Sequence, residues 1–381
     1  MKNEPMKIDI IGAGIGGLTT ALALQKKGIA FRLFEQAKSI QAVGAGILLG
    51  GNAMQVFEKL GLRQQIEQLG NPVSRMQITR PNLEPITSME LDYFEKKYGV
   101  KSVAIHRSTL QGILLEALPK QSVHLDKKLT QVTNYDPLFL QFSDGTLLNS
   151  AAVIGADGIH SPVRQMIFHE NTIRHTGQIC WRGVTDFPMP WSYEKELTEA
   201  WGQGDRFGFA QIAPGKIYWF AVSTNAPGAS GFNKQKIMSL FNNYHPLVKT
   251  LIDFTPESHI HTSMLADLKP ISTWVQDRIC LLGDAAHATT PNLGQGACQA
   301  IEDAYILAEC LAVYPVEEAF RQYEKARMEK AQMVVRSSWT MGKVAHLENP
   351  WLVKLRNWLM HIIPKAVNRR QSDQLYRLSA V

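Results

Sequence analysis

A chain of 381 residues, 45% hydrophobic and 19% charged, is long enough for two interleaved domains with a sizeable core. Its net charge of +6 is spread along the sequence, which argues against a nucleic-acid partner. Cys180, Cys280, Cys298 and Cys310 are far apart, with no CxxC pair and no zinc-ligand spacing, so no metal site is expected and a reducing, cytoplasmic compartment fits. No apolar run is long enough to span a bilayer. The opening "MKNEPMKIDIIGAGIGGLTTALALQKK" mimics a secretion signal, but glycines interrupt it at regular spacing and no cleavage-like end follows.

In chain order, residues 7–11 have the β-rich, apolar character of a buried parallel strand. Gly12, Gly14 and Gly17 follow as G-x-G-x-x-G, and 18–27 continues as a helix ending near Gly28. Gly12 permits the tight turn, Gly14 lets the backbone approach a pyrophosphate, and Gly17 lets helix and strand pack closely. The phosphates belong at the helix N-terminus, where unpaired N–H groups and the dipole favour an anion. A second strand, "AFRLFE", ends in Glu35, which lies 35 − 17 = 18 residues beyond the last glycine, the spacing of a ribose-binding acid. An acid there disfavours a 2′-phosphate, leaving FAD or NAD as the ligand.

Two further apolar strands break at glycine turns: "AAVIGADGIHSPVR" (151–164), carrying Asp157 and Arg164, and "DRICLLGDAAHATTPNLGQG" (277–296). A plain NAD dehydrogenase needs only the first break. Three such ends converging on one crevice imply a longer ligand whose ring system is held far from the adenine. Residues 171–261 are richer in aromatics and short strands, and read as a mixed sheet. Its clearest element is the hairpin "RFGFAQIAPGKIYWFAV" (206–222), with a Pro-Gly turn at 214–215. From about Val316 the chain looks helical. "NPWLVKLRNWLMHIIPKAVNRR" places Trp351, Leu355, Trp358, Leu359 and Ile362 on one face and Lys354, Arg356, Lys365, Arg369 and Arg370 elsewhere. A basic amphipathic helix can lie on an anionic membrane, in which case a lipophilic substrate is implied. Docking of that stripe onto its own domain is the expectation here. His106, His160 and His287 each stand beside a motif without a partner set and read as structural.

With three glycine-broken motifs in order, the chain resembles the single-component (class A) FAD-dependent aromatic hydroxylases of the p-hydroxybenzoate hydroxylase fold. "VGAGILLGGNAMQVFEKLGL", "IHRSTLQGILLEAL" and "CWRGVTD" make it most similar to the salicylate-hydroxylase, urate-hydroxylase and zeaxanthin-epoxidase-like members. The resemblance covers essentially the whole chain. It implies an α/β fold in which a Rossmann-like FAD-binding domain (1–75, 100–170 and 262–330) interleaves with a mixed-sheet substrate domain (76–99 and 171–261), followed by a C-terminal helical segment (331–381). It also implies non-covalent FAD, NADH or NADPH as a transient reductant, O2 as co-substrate, and oxygen transfer to an electron-rich aromatic small molecule through a flavin C4a-hydroperoxide, by a monomer or dimer.

The resemblance carries Gly12, Gly14, Ile15, Gly17, Glu35, Gly46, Arg107, Asp157, Asp284, Pro291, Gly294, Gly296 and Ala297 over as cofactor-binding. The helix from about Gly296 then points its N-terminus at the pyrimidine edge of the flavin, where negative charge develops on reduction. Asp157 serves either the cofactor or its own turn, and Arg164 is either a motif residue or a helix-surface residue tied to Asp157. On the substrate side, Arg206 and Tyr218 on the hairpin, with Arg182 as a weaker candidate, are expected to hold and polarise the substrate. A surface ion pair and a core tyrosine are the alternative for Arg206 and Tyr218. Gly51 departs from the family, whose members usually place proline there, and a looser loop near the flavin is expected. A halogenase or reductase, and a non-catalytic FAD- or ligand-binding protein, are the competing functions; the paired-tryptophan signature of the tryptophan halogenases is absent.

Overall fold

The computed structural model describes residues 7–40, 45–133, 136–169, 173–224 and 233–380. Lys2 of the signal-like opening, and Val43 and Gly44 at the start of one resemblance segment, lie outside the described residues.

The apolar runs read as buried strands form one six-stranded sheet. Its order is Val275–Gln276, Ile279–Leu281, Ala152–Gly155, Ile8–Ile11, Phe31–Phe34, Val123–His124, parallel except at the first pair. Because these strands are parallel, their carboxyl ends finish on one edge, and all three glycine breaks lie there side by side. The Ala156 N–H donates to Ile11 O at 2.8 Å, and the Leu282 N–H to Gly155 O at 2.9 Å. An open parallel sheet binds its ligand in a crevice at that edge.

The second large sheet has seven strands, ordered His261–Leu268, Ile173–Asp186, Lys216–Ser223, Asp205–Ala213, Glu196–Trp201, Arg75–Thr79 and Pro85–Glu90. Alternation along the strands sorts its two faces. Trp181, Phe207, Phe209 and Trp219 pack on one face against the helices Lys234–Leu240 and Pro246–Phe254. Val184, Ala210, Ile212 and Tyr218 occupy the other, against Leu48, Val73, Ala104 and Tyr376.

Helix Gly296–Val313 packs between helix Ile15–Lys26 and the long helix Val316–Ala345. Beside apolar residues of both helices, the long helix also contributes a buried ionic cluster at this junction. Arg327, fully buried, donates to Glu302 Oε1 (2.5 Å), Asp303 Oδ1 (2.8 Å) and Gln299 Oε1 (2.6 Å). Lys330 Nζ reaches Glu302 Oε2 at 2.8 Å, and His287 Nε2 lies 2.5 Å from Asp303 Oδ2. The second Asp303 oxygen also accepts the Gly283 N–H at 3.1 Å, so the cluster fixes the third glycine break. Burial opposes ionisation of Asp303, but His287 and Arg327 outweigh it and hold the carboxyl at about 2.

The C-terminal helix Pro350–Ile362 overturns the docking expectation. Its inward residues are polar: Arg356 and Asn357 are buried, while Trp351, Leu355, Trp358, Leu359 and Ile362 are exposed. Arg356 is drawn in because its guanidinium donates to Ala345 O (2.8 Å), Val344 O (3.3 Å) and Gly202 O (3.3 Å), satisfying carbonyls left open at the end of the long helix. The Lys365 side chain lies outside the described set. The last helix, Lys365–Tyr376, ends with Tyr376 buried over glycines 50 and 51; a Cβ on Gly50 would fall 2.6 Å from its ring, and Gln55 Nε2 donates to Tyr376 O at 2.9 Å. The loop at Gly51 is therefore clamped, not loosened.

Replacing Arg327 by methionine leaves Glu302 and Asp303 buried without their main cation, and should lower unfolding stability by about 3 kcal/mol or more in urea titrations near neutral pH. The wild type loses stability as pH falls through the ordinary carboxyl range towards 2, because the folded pKa of Asp303 is depressed. In Arg327→Met the unpaired carboxyls favour the protonated form, so the deficit relative to wild type should shrink on acidification; a pH-independent deficit would contradict the ionic account.

Candidate FAD and substrate site

The fingerprint glycines have separate physical reasons. Gly12 has φ +102°, and a Cβ there would lie 2.5 Å from Ala156 O. A Cβ on Gly17 would lie 1.9 Å from Gly12 O, so helix and turn meet in backbone contact. Gly14 is different: its φ of −69° suits any residue, and a Cβ would meet nothing within 4 Å. The free space lies where a ligand phosphate must approach. Ile15 opens the helix with its side chain buried, so it can offer a ligand only its main chain.

Glu35 follows the second strand, and its carboxylate accepts from the N–H groups of Ala13 and Ala37, each at 2.9 Å. This stations an anionic acceptor at the rim of the glycine loop with further lone pairs to offer. Asp157 Oδ2 accepts the Val163 N–H at 3.0 Å, which is turn-holding work, while its buried Oδ1 has no partner. Arg164 is fully buried rather than on a helix surface. It donates to Ala285 O (2.8 Å) and Ile159 O (2.5 Å) and so ties the second glycine break to the third.

Asp284 follows Gly283 (φ +62°) at the start of the short helix Asp284–His287. Its side chain is open to solvent, yet the surrounding protein raises its carboxyl pKa against the pull of His287 and Arg107. Arg107, at the start of helix Arg107–Glu116, is exposed and close enough for its charge to act on Asp284. Pro291 and Gly294 (φ +62°) form an exposed turn, and Gly296 and Ala297, half-buried, begin the following helix, which no side chain caps. Its open N–H groups favour an anion. Gly46 has a steric reason: a Cβ there would lie 2.4 Å from the Tyr218 ring.

The hairpin register resolves which way the substrate-side candidates point. Arg206 pairs with Val222, Ala210 with Tyr218, and Phe220 with Arg182. Directly paired residues share a face, as do residues two apart, so Arg206, Tyr218 and Arg182 lie together on the face away from the Trp181–Trp219 core. Arg182 donates to Ser263 Oγ at 2.7 Å and lies close enough for its charge to act on the Tyr218 phenol. Burial pushes the Tyr218 phenol well above its ordinary value, so it remains a proton donor. Arg206 is 1% exposed, so its ion pair with Glu199 (3.3 Å) is buried, not superficial. Its other terminal nitrogen donates to Asn292, in the turn beside Gly294.

Sequence reasoning missed four contributors. Asn292 was legible inside "TTPNLGQG", but Glu199, His346 and Tyr376 carry no local signal and arrive by tertiary contact. His346 Nδ1 engages Gly342 O at 3.0 Å, leaving Nε2 buried without a partner, and burial followed by the charge of Arg206 lowers its pKa to about 3. It is a neutral acceptor beside Arg206. Among the described residues no group of side chains could hold a metal ion.

The room at Gly14, the acceptor at Glu35, the orphaned Asp157 oxygen and the uncapped helix at Gly296 together fit an elongated dinucleotide held from both ends. The fold and cleft are those of a flavin-dependent oxygenase. The chain belongs to the FAD-binding domain family, whose model matches residues 6–338. It is similar to the aurachin C monooxygenase/isomerase of Stigmatella aurantiaca, 36% identical with 93% of each chain covered. It is also similar to the 2-heptyl-3-hydroxy-4(1H)-quinolone synthase of Pseudomonas aeruginosa, 32% identical over 97% of this chain and 98% of that one. Klebsiella pneumoniae HpxO, solved with FAD and uric acid, superposes with a TM-score of 0.90 at 26% identity, covering 97% and 96% of the two chains. The protein is an FAD-dependent monooxygenase. Among the described residues no helix is long and apolar enough to cross a membrane.

Gly14→Val should fold normally and purify without flavin absorbance, because the added side chain meets only ligand space. Gly17→Ala should lose fold stability itself, since its Cβ strikes main chain. Asp284→Ala and Arg107→Ala should release FAD, read by fluorescence after dilution, while apo-protein thermal unfolding stays close to wild type. Equal losses in the apo-protein would make both residues structural.

Proposed function

We propose that the substrate is a nitrogen heteroaromatic ring bearing an enolic or carbonyl oxygen and an apolar side chain, of the alkylquinolone type, hydroxylated on a ring carbon next to that oxygen. The observation that carries this reading is the single sheet face shared by Arg206, Tyr218 and Arg182, with Phe220, Val222 and Ala210 between them. An apolar face with polar groups at fixed points suits a flat ring and orients its oxygen. The relatives support the ring type: one is named for a heptyl-bearing 4(1H)-quinolone product, and HpxO was solved with uric acid, another nitrogen heterocycle with carbonyl oxygens on ring carbons.

When bound, FAD accepts electrons from NADH or NADPH and delivers one atom of O2. The chain's own residues do the rest. Glu35, Arg107, Asp284 and the amides at 14–17 and 296–297 hold the cofactor. Arg206 is the positive charge beside the ring oxygen and favours its anionic form, which makes the neighbouring carbon electron-rich. Tyr218, kept protonated by burial, donates a hydrogen bond and fixes the ring. Apolar neighbours would exclude water from the reacting face.

Purified protein supplied with 2-heptyl-4(1H)-quinolone should oxidise NADH or NADPH faster and yield a product one oxygen atom heavier by mass spectrometry, with urate and salicylate poorer. Tight coupling on urate with only peroxide from quinolones would reject the substrate assignment. Arg206→Met should retain FAD yet release hydrogen peroxide in place of most of the product; unchanged coupling would remove Arg206 from the substrate site.

A further inference from the structure

The helix Pro350–Ile362 is inside out, and its outer face is not scattered apolar surface. Of the seventeen large hydrophobic side chains exposed among the described residues, eight fall within 351–367. Trp351, Leu355, Trp358 and Ile362 follow one another at helical spacing, with Leu352 and Leu359 alongside, and exposures run from 44% to 77%. A contiguous apolar face of this kind marks an interaction surface. The side chains stand out as a ridge roughly 18 Å long. A protruding ridge suits a deformable partner better than a preformed pocket.

Charge selects the occupant. Between Glu348 and Asp373 the chain carries five Lys or Arg residues (354, 356, 365, 369 and 370) and no acid. Arg356 is committed to the end of the long helix, but Lys354 and Arg370 are exposed, and the Lys354 ammonium lies 5.1 Å from the Trp351 ring centroid. Asp373, the next acid, is already paired with Lys97 at 2.6 Å. A symmetric dimer through this ridge would set one basic patch against another, whereas an anionic surface complements it. We propose that this face docks the enzyme peripherally on an anionic lipid bilayer, with Trp351, Leu355, Trp358 and Ile362 entering the headgroup region and Lys354 and Arg370 against the phosphates.

The cavity beside the ridge agrees with that placement. It measures about 470 Å³, and Met341, Val344, Met360 and Ile363 contribute apolar walls between the long helix and the last two helices. It is separate from the FAD crevice. On the same helix Ser338 donates to Thr290 O at 2.6 Å, in the loop that leads to the Gly296 helix. A lipophilic molecule arriving from a bilayer would enter the protein one helix away from the cofactor loop.

The proposal rests on exposure and charge, not on the substrate assigned above, and its test reads no turnover. FAD-loaded full chain is floated with vesicles of equal parts phosphatidylglycerol and phosphatidylcholine, and with phosphatidylcholine alone. The wild type should co-float with the anionic vesicles and hardly with the neutral ones. Trp351→Ser/Trp358→Ser and Lys354→Glu/Arg370→Glu should each weaken partitioning by about tenfold. FAD content serves as the folding control. Wild type that stays with the soluble fraction, or variants that float as well as wild type, would overturn the proposal. So would a dimer in light scattering that the tryptophan variant dissociates, since that makes a second copy the occupant.

Discussion

The structure depends on one buried ionic cluster. Arg327 and Lys330 from the long helix neutralise Glu302 and Asp303 of helix Gly296–Val313, and Asp303 reaches both His287 and the Gly283 amide. An apolar junction would let two helices slide by small steps at little cost. Paired buried charges do not, because each displaced group would be left unsatisfied in a poorly polarisable interior. The cluster therefore fixes the axial position of the helix whose N-terminus faces the cofactor crevice, and the turn that carries Asp284. Both ends of the cofactor site are referred to it.

The crevice follows from strand direction. Parallel strands put their carboxyl ends on one edge, so the motifs at Gly12, Asp157 and Asp284, far apart in the chain, meet as neighbours. Arg164 extends this logic, using one side chain to join two of the three breaks. The seven-stranded sheet supplies the opposite wall. Its alternation keeps Trp181, Phe207, Phe209 and Trp219 in a core on one face and places Arg182, Arg206 and Tyr218 on the other. Tyr218 packs on Gly46 and Arg206 bonds Asn292, so two of these three side chains are braced against segments outside their own sheet.

The C-terminal helices show how a polar contact overrides an amphipathic pattern. Burial of the Trp351–Ile362 stripe would ordinarily dominate. Here the open carbonyls at the end of the long helix recruit the Arg356 guanidinium instead, and the geometry of one helix cannot present both faces inward. The apolar face is left outside, on a segment that carries lysines and arginines but no acid between Glu348 and Asp373.

What the sequence determined by itself is what local sterics and short spacing dictate. Gly12, Gly17, the breaks before Asp157 and Asp284 and the hairpin turn at 214–215 are legible because main-chain geometry or strand ends favour those residue types, whereas Gly14 and Glu35 are legible only through the spacing of a dinucleotide fingerprint. The resemblance carried by the ordered motifs then gave the flavin. The tertiary structure decided everything that depends on register, sidedness or long-range charge. Only strand pairing shows that Arg206, Tyr218 and Arg182 share a face, because a one-residue slip would reverse it. Glu199 and His346 could not be assigned from sequence, since their significance lies in a partner distant along the chain. The apolar stripe at 351–362 reads the same whether it faces inward or outward, and the carbonyls that turned it out belong to another helix.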